Sequence, residues 1–311
     1  MTNQTELPPG IAHLLDCFPS SLAQALGALS AKDWAELEEI RLLAQRPIML
    51  YRKAGGMFLT SCGTFTDSAT DAAFVTVQQI AAIFRQLCEN SVYAKEEDIR
   101  QGFLSLPGGH RAGICGSATL HCGEVTFLKN ISAINIRIAH QAIGCADGVM
   151  QHICSGGTLH NTILVSPPGG GKTTLLRDIA RILGASYKVG IADERGEIAA
   201  VYKGVAQNDI GLRSVVMDSC PKATAMGLMI RSMGVDCVIT DEIGSAEDAH
   251  ALRLASCAGV HTIATVHGAG MEDLQRHPHL KSMLPLFEYV IVLQKSSGSS
   301  RIKQIIYTKE Q

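Results

Sequence analysis

NTILVSPPGGGKTTLLRDIAR, residues Asn161 to Arg181, is the stretch whose reading decides the fold. It opens on a short apolar run of β type, Thr162-Ile163-Leu164-Val165, and passes through a Pro/Gly loop, Ser166 to Gly171. Lys172, Thr173 and Thr174 follow. Then Leu175, Leu176, Ile179 and Ile182 recur at the three- and four-residue steps of one buried helical face. Strand, glycine loop, Lys-Thr and helix in that order give a phosphate-loop match its structural context.

Glycines at 169, 170 and 171 let the backbone fold tightly and turn successive N–H groups toward one point. The following helix adds its positive end, so an anion belongs there. The expected nucleotide-binding set is Ser166, Pro167, Pro168, Gly169, Gly170, Gly171, Lys172, Thr173 and Thr174. Lys172 would reach the β- and γ-phosphate oxygens of ATP, and the Thr173 hydroxyl would ligate Mg²⁺. The usual G-x-x-x-x-G-K-[ST] begins with glycine, and here Ser166 stands in that place. The position lies at the strand exit rather than against the phosphates, so the substitution is expected to be tolerated. The alternative is a glycine-rich strand–helix turn that holds no ligand.

Downstream, Lys188 to Ala192 is a β run that ends in Asp193-Glu194-Arg195-Gly196-Glu197. Pro221 to Met233 is helical, and Val235 to Thr240 is a buried strand ending at Asp241-Glu242. Ala246 to Ala255 is helical again, and Thr262 to Val266 is a strand ending at His267. Tyr289 to Gln294 and Arg301 to Tyr307 flank the polar loop Lys295 to Ser300 as a terminal hairpin. This alternation predicts a parallel sheet. In an open parallel sheet the carboxyl ends of the strands share one edge with the phosphate loop, and ligands bind there.

Glu242 is expected to position and polarise an attacking water, with Asp193 and Glu197 as further catalytic candidates beside it. Asp241 or Thr173 would complete the Mg²⁺ shell, and His267 would contact the γ-phosphate. Each has a plainer reading. Strand-end acids serve as exposed turn chemistry, and His267 has His250 and His261 close by, any of which can be a surface or core residue.

Upstream, the spacing from Ile11 to Leu43 predicts helix, broken near Pro19, with Trp34, Leu37, Ile40 and Leu42 in its last part. Arg46-Pro47 ends it before a strand, Ile48 to Tyr51. Thr76 to Leu87 reads as an amphipathic helix with Val77, Ile80, Ile83 and Phe84 inward. Phe103 to Leu106 and His110 to Cys115 flank the turn Pro107 to Gly109, and Val125 to Leu128 and Ile134 to Ile138 read as two more strands. Arg111 and Arg137 sit on these strands. Either they meet solvent or a local salt bridge, or one of them reaches a nucleotide held by the other domain or the next subunit. Gly144 to Gly157, with Gly and Ser at both ends, marks the domain boundary. An α+β domain over 1–145 and a parallel α/β domain over 146–311 are expected.

The 311 residues suffice for two cores, and 46% hydrophobic with 18% charged residues describes an ordinary globular chain. The ten cysteines include no C-x-x-C pair, and Cys115, His121 and Cys122 lack the spacing of a zinc site. Buried thiols in a reducing cytosol are expected. The N-terminus MTNQTELPPG lacks the features of a secretory signal, and no apolar run approaches the ~20 residues of a membrane span. Membrane association is therefore expected through partners.

At the strand ends the chain resembles the type II/type IV secretion, or traffic, ATPases. Their phosphate loop corresponds to Ser166 to Thr173, and their aspartate box resembles Asp193 to Glu197, with Arg195 where those enzymes often have proline. Their Walker B segment resembles Arg231 to Glu242, and their histidine box resembles His261 to His267. The resemblance implies a RecA-like P-loop NTPase domain preceded by a smaller α+β domain, with ATP and Mg²⁺ as cofactors. On a generic P-loop reading Asp241 is the metal-side acid and Glu242 the base. On the secretion-ATPase reading position 241 would be glycine, and only Glu242 carries a role.

Gly108-Gly109-His110-Arg111, Ile134-Asn135-Ile136-Arg137, Pro167-Pro168-Gly169, Gly171 to Asp178, Asp193-Glu194-Arg195 and Asp241-Glu242-Ile243-Gly244 resemble the stage III sporulation AA family of endospore-forming bacteria. That resemblance covers nearly the whole chain. It implies a cytoplasmic, mother-cell ATPase that forms a homo-oligomer, a hexameric ring, docked on membrane-embedded stage III sporulation proteins. Binding and hydrolysis would close and release the two domains across Gly144 to Gly157. In such rings arginines of the N-terminal domain complete a nucleotide site, which points to Arg111 and Arg137. Two other readings compete: a scaffold that binds ATP with negligible hydrolysis, and a nucleic-acid-dependent ATPase. The net charge of -2 and the lack of a basic, aromatic-laced tract speak against the last.

Overall fold

The computed structural model describes residues 10–92, 95, 99, 102–121, 124–296 and 299–308. The N-terminal segment before Gly10, Cys122 and the tip of the last hairpin, all discussed above, lie outside the described residues. The chain divides into two compact units, Met1–His140 and Gln141–Gln311.

The first unit begins with helices α1 (Ile11–Asp16), α2 (Ser20–Gly27) and α3 (Ala31–Glu36). Ser30 starts α3 in a reciprocal capping box with Asp33. The helix expected to run through Leu43 stops at Glu36, and Leu37–Leu43 is strand β1. Leu37 and Ile40 fit a helical step, but Ile40 and Leu42 are buried between the more accessible Glu39, Arg41 and Leu43. That period of two belongs to a strand buried on one face, and it prevails here.

The short strands β2 (Arg46–Pro47) and β6 (Phe74–Val75) pair with each other. The remaining strands are β3 (Met49–Arg52), β4 (Gly55–Leu59), β5 (Phe65–Thr66), β7 (Phe103–Ser105), β8 (Arg111–His121) and β9 (Glu124–Arg137). With β1 they form an antiparallel sheet in the order β5-β4-β3-β1-β9-β8-β7. The two strands expected within 125–138 are one, β9. Asn130 in the left-handed region (φ 47) and a register shift opposite Cys115–Ser117 make a bulge where the sequence reads as a break. Helix α4 (Val77–Leu87) starts at a Thr76–Gln79 capping box and buries Ile80, Ile83 and Phe84. Val77, the first residue of the helix and expected inward, is 47% exposed.

The second unit opens with α5 (Asp147–Ile153) and a small hairpin, β10 (Cys154–Ser155) and β11 (Thr158–Leu159). Then come β12 (Thr162–Ser166), α6 (Lys172–Leu183), β13 (Val189–Asp193), β14 (Ser214–Asp218), α7 (Lys222–Ser232) and β15 (Cys237–Thr240). The chain ends with α8 (Ala246–Cys257), β16 (His261–His267), α9 (Met271–Arg276), α10 (Pro278–Met283), β17 (Tyr289–Ser296) and β18 (Ser299–Tyr307). The sheet order is β14-β13-β15-β16-β12-β17-β18, parallel up to β17 and closed by antiparallel β18.

Every residue of β12, β13 and β15 is buried, so these strands read as apolar runs rather than as alternation. Their side chains still part by turns: Ile163 and Val165 join the core on one face, Leu164 that on the other. On α6, Leu175, Leu176, Ile179 and Leu183 are buried, while Ile182 is only partly so.

Among the described residues every cysteine is a free thiol. The expectation of buried thiols holds for Cys88 and Cys237 but not for Cys62, Cys115, Cys145 and Cys257, which are exposed. No described helix is long and apolar enough to cross a membrane.

Candidate functional site

Parallel pairing brings the carboxyl ends of four strands to one edge of the second unit's sheet. Ser166 at the end of β12 pairs with His267 at the end of β16, and Thr240 of β15 pairs with both Ala264 and Ala192. The loop after β12 turns on Gly169 (φ 71) and Gly171 (φ 79), both left-handed. Ser166 is buried beneath it, donating its hydroxyl to the Pro167 carbonyl at 2.9 Å, and the Gly170 N–H donates to the same carbonyl at 3.0 Å. A Cβ on Gly170 would sit 2.1 Å from Ser166 Oγ. Serine thus fits the place usually held by glycine because residue 170 has no side chain. Pro168 and Gly169 are exposed on the outer turn. Gly171 caps α6 and has no side chain to accept from the first N–H groups of the helix.

Lys172 opens α6 and is buried to 7% exposure. Its Nζ lies 2.8 Å from Glu242 Oε1. His267 Nε2 lies 2.8 Å from the same oxygen and 3.2 Å from Lys172 Nζ. Arg195 donates to the other oxygen, Oε2, at 2.8 Å. Burial opposes the charge of Glu242. The Lys172 hydrogen bond and the charges of Lys172, Arg195 and His267 outweigh it and hold the carboxyl below its ordinary value.

The Thr173 hydroxyl donates to Asp241 Oδ2 at 2.8 Å. Asp241 Oδ1 accepts from the Thr265 hydroxyl and, at 2.9 Å, from the Glu242 N–H. Thr173 and Asp241 therefore place two hard oxygen donors side by side, a donor set that fits Mg²⁺. Among the described residues no group of three or more His, Cys, Asp or Glu side chains could hold a metal ion, so a magnesium ion would depend on these two, nucleotide phosphates and water.

Asp193 is differently engaged. It is 3% exposed, and its Oδ1 accepts the N–H groups of Glu197 (2.8 Å) and Ile198 (3.1 Å). Its Oδ2 accepts those of Ile198 (3.1 Å) and Ala199 (2.8 Å). That arrangement makes Asp193 the anchor of the loop that carries Arg195 and Glu197. Glu197 borders a recess of about 20 Å³, room for one water, shared with Glu194, Arg195, Lys222, Asp241 and Glu242.

Arg111 and Arg137 belong to the first unit and face each other in register across β8 and β9. The Arg111 guanidinium lies over the Phe103 ring at 5.0 Å, and Arg137 Nε is 3.4 Å from Glu39.

Two residues at the strand-end site carry contacts that the sequence pattern did not single out. Arg195 stood out only as a departure from a motif. Lys222, the first residue of α7, donates to the Glu242 carbonyl at 3.0 Å and lies 3.4 Å from Glu194 Oε2. Its place directly after Pro221 was the one available signal, and that signal speaks of a helix start rather than of a site.

A family model described as "Sporulation stage III, protein AA" matches residues 13–311. The stage III sporulation protein AA of Bacillus subtilis (strain 168) is 36% identical over 306 residues, which are 96% of this chain and 95% of that protein. Among solved structures, the Yersinia pseudotuberculosis ATPase DotB is similar with a TM-score of 0.58 at 15% identity, covering 93% of this chain and 80% of that one. The pilus retraction motor PilT, solved with bound ADP, gives a TM-score of 0.57 at 15% identity, covering 88% of this chain and 80% of that one. At such identity these two speak for the fold alone, a RecA-like α/β domain with a parallel sheet.

Proposed function

The chain belongs to the sporulation stage III AA family, and from that premise we propose that it is a Mg-ATP hydrolase working as a ring of identical subunits. The observation that carries this reading is the meeting of Lys172, at the tip of α6, with Glu242, just past the end of β15, two strands away from β12 in the sheet.

In this reading the triphosphate takes the loop from Ser166 to Thr174, and Lys172 exchanges Glu242 for the β- and γ-phosphate oxygens. Thr173 and Asp241 would hold Mg²⁺, which supplies charge neutralisation along the β–γ bond. Glu242 keeps Arg195 and His267 as partners and orients a water in line with the γ-phosphorus. The water oxygen bonds to that phosphorus and its proton passes to a γ-phosphate oxygen, while the bond from phosphorus to the β–γ bridging oxygen breaks. ADP departs with the electron pair. Arg195 and His267, two of the charges that hold the Glu242 carboxyl below the ordinary value, stay beside it after Lys172 leaves, and a carboxyl so held is a weak base. Glu242 therefore acts chiefly by placing and polarising the water, which a loose phosphoryl-transfer transition state requires.

His267 reports on the γ-phosphate, and Arg111 and Arg137 are the arginines offered to nucleotide in the ring. The family assignment supports docking on membrane-embedded sporulation proteins on the mother-cell side, with hydrolysis driving a clamp-and-release motion.

The test is phosphate release by purified protein with Mg²⁺, beside Lys172→Ala and Glu242→Gln. Turnover by the wild type and a loss of about a hundredfold or more in each variant are expected. Wild-type turnover in both variants would end the proposal. Molecular mass in solution with a non-hydrolysable ATP analogue tests the ring, and a protein that assembles yet releases no phosphate would be a scaffold instead.

A further inference from the structure

Glu242 holds a backbone conformation that its side chain disfavours, φ 49 in the left-handed region. Such a residue persists only where its surroundings over-determine it. The N–H of Glu242 is fixed by Asp241 Oδ1 at 2.9 Å and Thr265 Oγ1 at 2.8 Å. The next N–H, of Ile243, donates to the Thr265 carbonyl at 2.9 Å. On the carbonyl side the ammonium of Lys222 donates to the Glu242 oxygen at 3.0 Å.

Helix stability does not explain a cation at this place. Lys222 begins α7, where the helix dipole favours acids, and the first turn of α7 contains none. Its ion pair with Glu194 is 3.4 Å long, and the Glu194 side chain is 45% exposed, so that contact is worth little. The bond to the Glu242 carbonyl is shorter and charge-assisted, and the Lys222 side chain is only 18% exposed. The helix that carries it is fixed by buried Ala225, Met226 and Met229.

We infer that Lys222 is a positioning residue for Glu242, holding the peptide from which the water-directing carboxylate projects. Released from Lys222, residue 242 can relax toward an ordinary conformation, which swings its Cα–Cβ bond and draws the carboxylate away from the γ-phosphate. A displacement of about 1 Å at a reacting group lowers rate by up to roughly a hundredfold. Lys222 borders the water-sized recess but does not touch nucleotide in this account, and it acts through Glu242. The inference rests on the hydrolase reading.

Lys222→Met, Lys222→Arg, Glu242→Gln and the Glu242→Gln/Lys222→Met double variant are compared by single-turnover hydrolysis and by titration with fluorescent ADP. In Lys222→Met the rate should fall about ten- to a hundredfold while ADP affinity does not fall by more than about twofold. Lys222→Arg should recover most of the rate. In the Glu242→Gln background the second substitution should add less than about twofold, since the two act as one unit. An unchanged rate in Lys222→Met, a fall in affinity matching the fall in rate, or full multiplication of the two losses would overturn the inference. Should Lys222→Met not fold, Lys222→Gln takes its place with the same expectations. An active wild type isolates a failure of Lys222 alone, whereas a wild type without turnover removes the hydrolase reading and this inference together.

Discussion

Lys172 Nζ and Glu242 Oε1 are 2.8 Å apart, with side chains 8% and 22% exposed. In the proposed hydrolase, the group that would grip phosphate is thus held by the group that would direct water. A partly buried pair of this kind interacts more strongly than a surface pair, and a nucleotide must displace it.

Glu242→Gln should therefore bind ATP more tightly than the wild type while hydrolysing it far more slowly. Removing the competing carboxylate should improve affinity about three- to tenfold, the equivalent of about 1 kcal/mol. Titration with a fluorescent non-hydrolysable analogue measures this. Equal or weaker binding would mean that the pair does not compete with phosphate.

Asp193 and Glu197 should separate cleanly. Asp193→Asn replaces one buried acceptor oxygen by a donor that faces backbone N–H groups, which costs about 1–3 kcal/mol. Its melting temperature should fall by several degrees, and that of Glu197→Gln should not change by more than about one degree. Thermal unfolding followed by circular dichroism decides it. Equal behaviour of the two would deny Asp193 its role as a loop anchor.

Gly170→Ala should abolish nucleotide binding, because the added Cβ would sit 2.1 Å from Ser166 Oγ. Ser166→Gly alone should bind within a few-fold of wild type. The double variant should recover part of the loss, since the Pro167 carbonyl, 3.0 Å from that Cβ, still presses on it. Failure of Ser166→Gly to rescue Gly170→Ala at all would contradict the packing of the loop on Ser166.

His110 sets a pH dependence in the first unit. It is buried, its Nδ1 accepts the Ala139 N–H at 3.0 Å, and burial with the nearby charge of His140 lowers its pKa from 6.5 to about 4. Between those values the unfolded chain takes up a proton that the native chain refuses, so stability falls as pH drops from 6.5 toward 4. His110→Gln lacks that loss, and its melting temperature should gain on the wild type steadily through this window. Parallel profiles for the two proteins would refute the assignment.

The second unit was readable where strands are apolar throughout. Thr162 to Val165, Lys188 to Ala192 and Val235 to Thr240 announce themselves by composition, and the residues at their ends follow. Ser214–Asp218, an edge strand of mixed burial, gave no such signal, and neither did the short helices Met271–Arg276 and Pro278–Met283. Leu37–Leu43 misled because two periods compete over so few residues. In the candidate site, Lys172 and Thr173 were nameable from the phosphate-loop pattern, and Asp241, Glu242 and His267 from their places at strand ends. Their contacts were not, since the order of the strands and the left-handed turn at Glu242 decide them. Lys222 was invisible for the same reason: it reaches the site from a different helix, across a distance that sequence spacing does not encode.

The most direct measurement is a structure determined with Mg²⁺ and a non-hydrolysable ATP analogue. Lys172 Nζ should then leave Glu242 and lie within hydrogen-bond reach of the β- and γ-phosphate oxygens, with the Glu242 carboxylate facing the terminal phosphate across one water. A nucleotide bound elsewhere, or an intact Lys172–Glu242 pair beside bound triphosphate, would contradict the account.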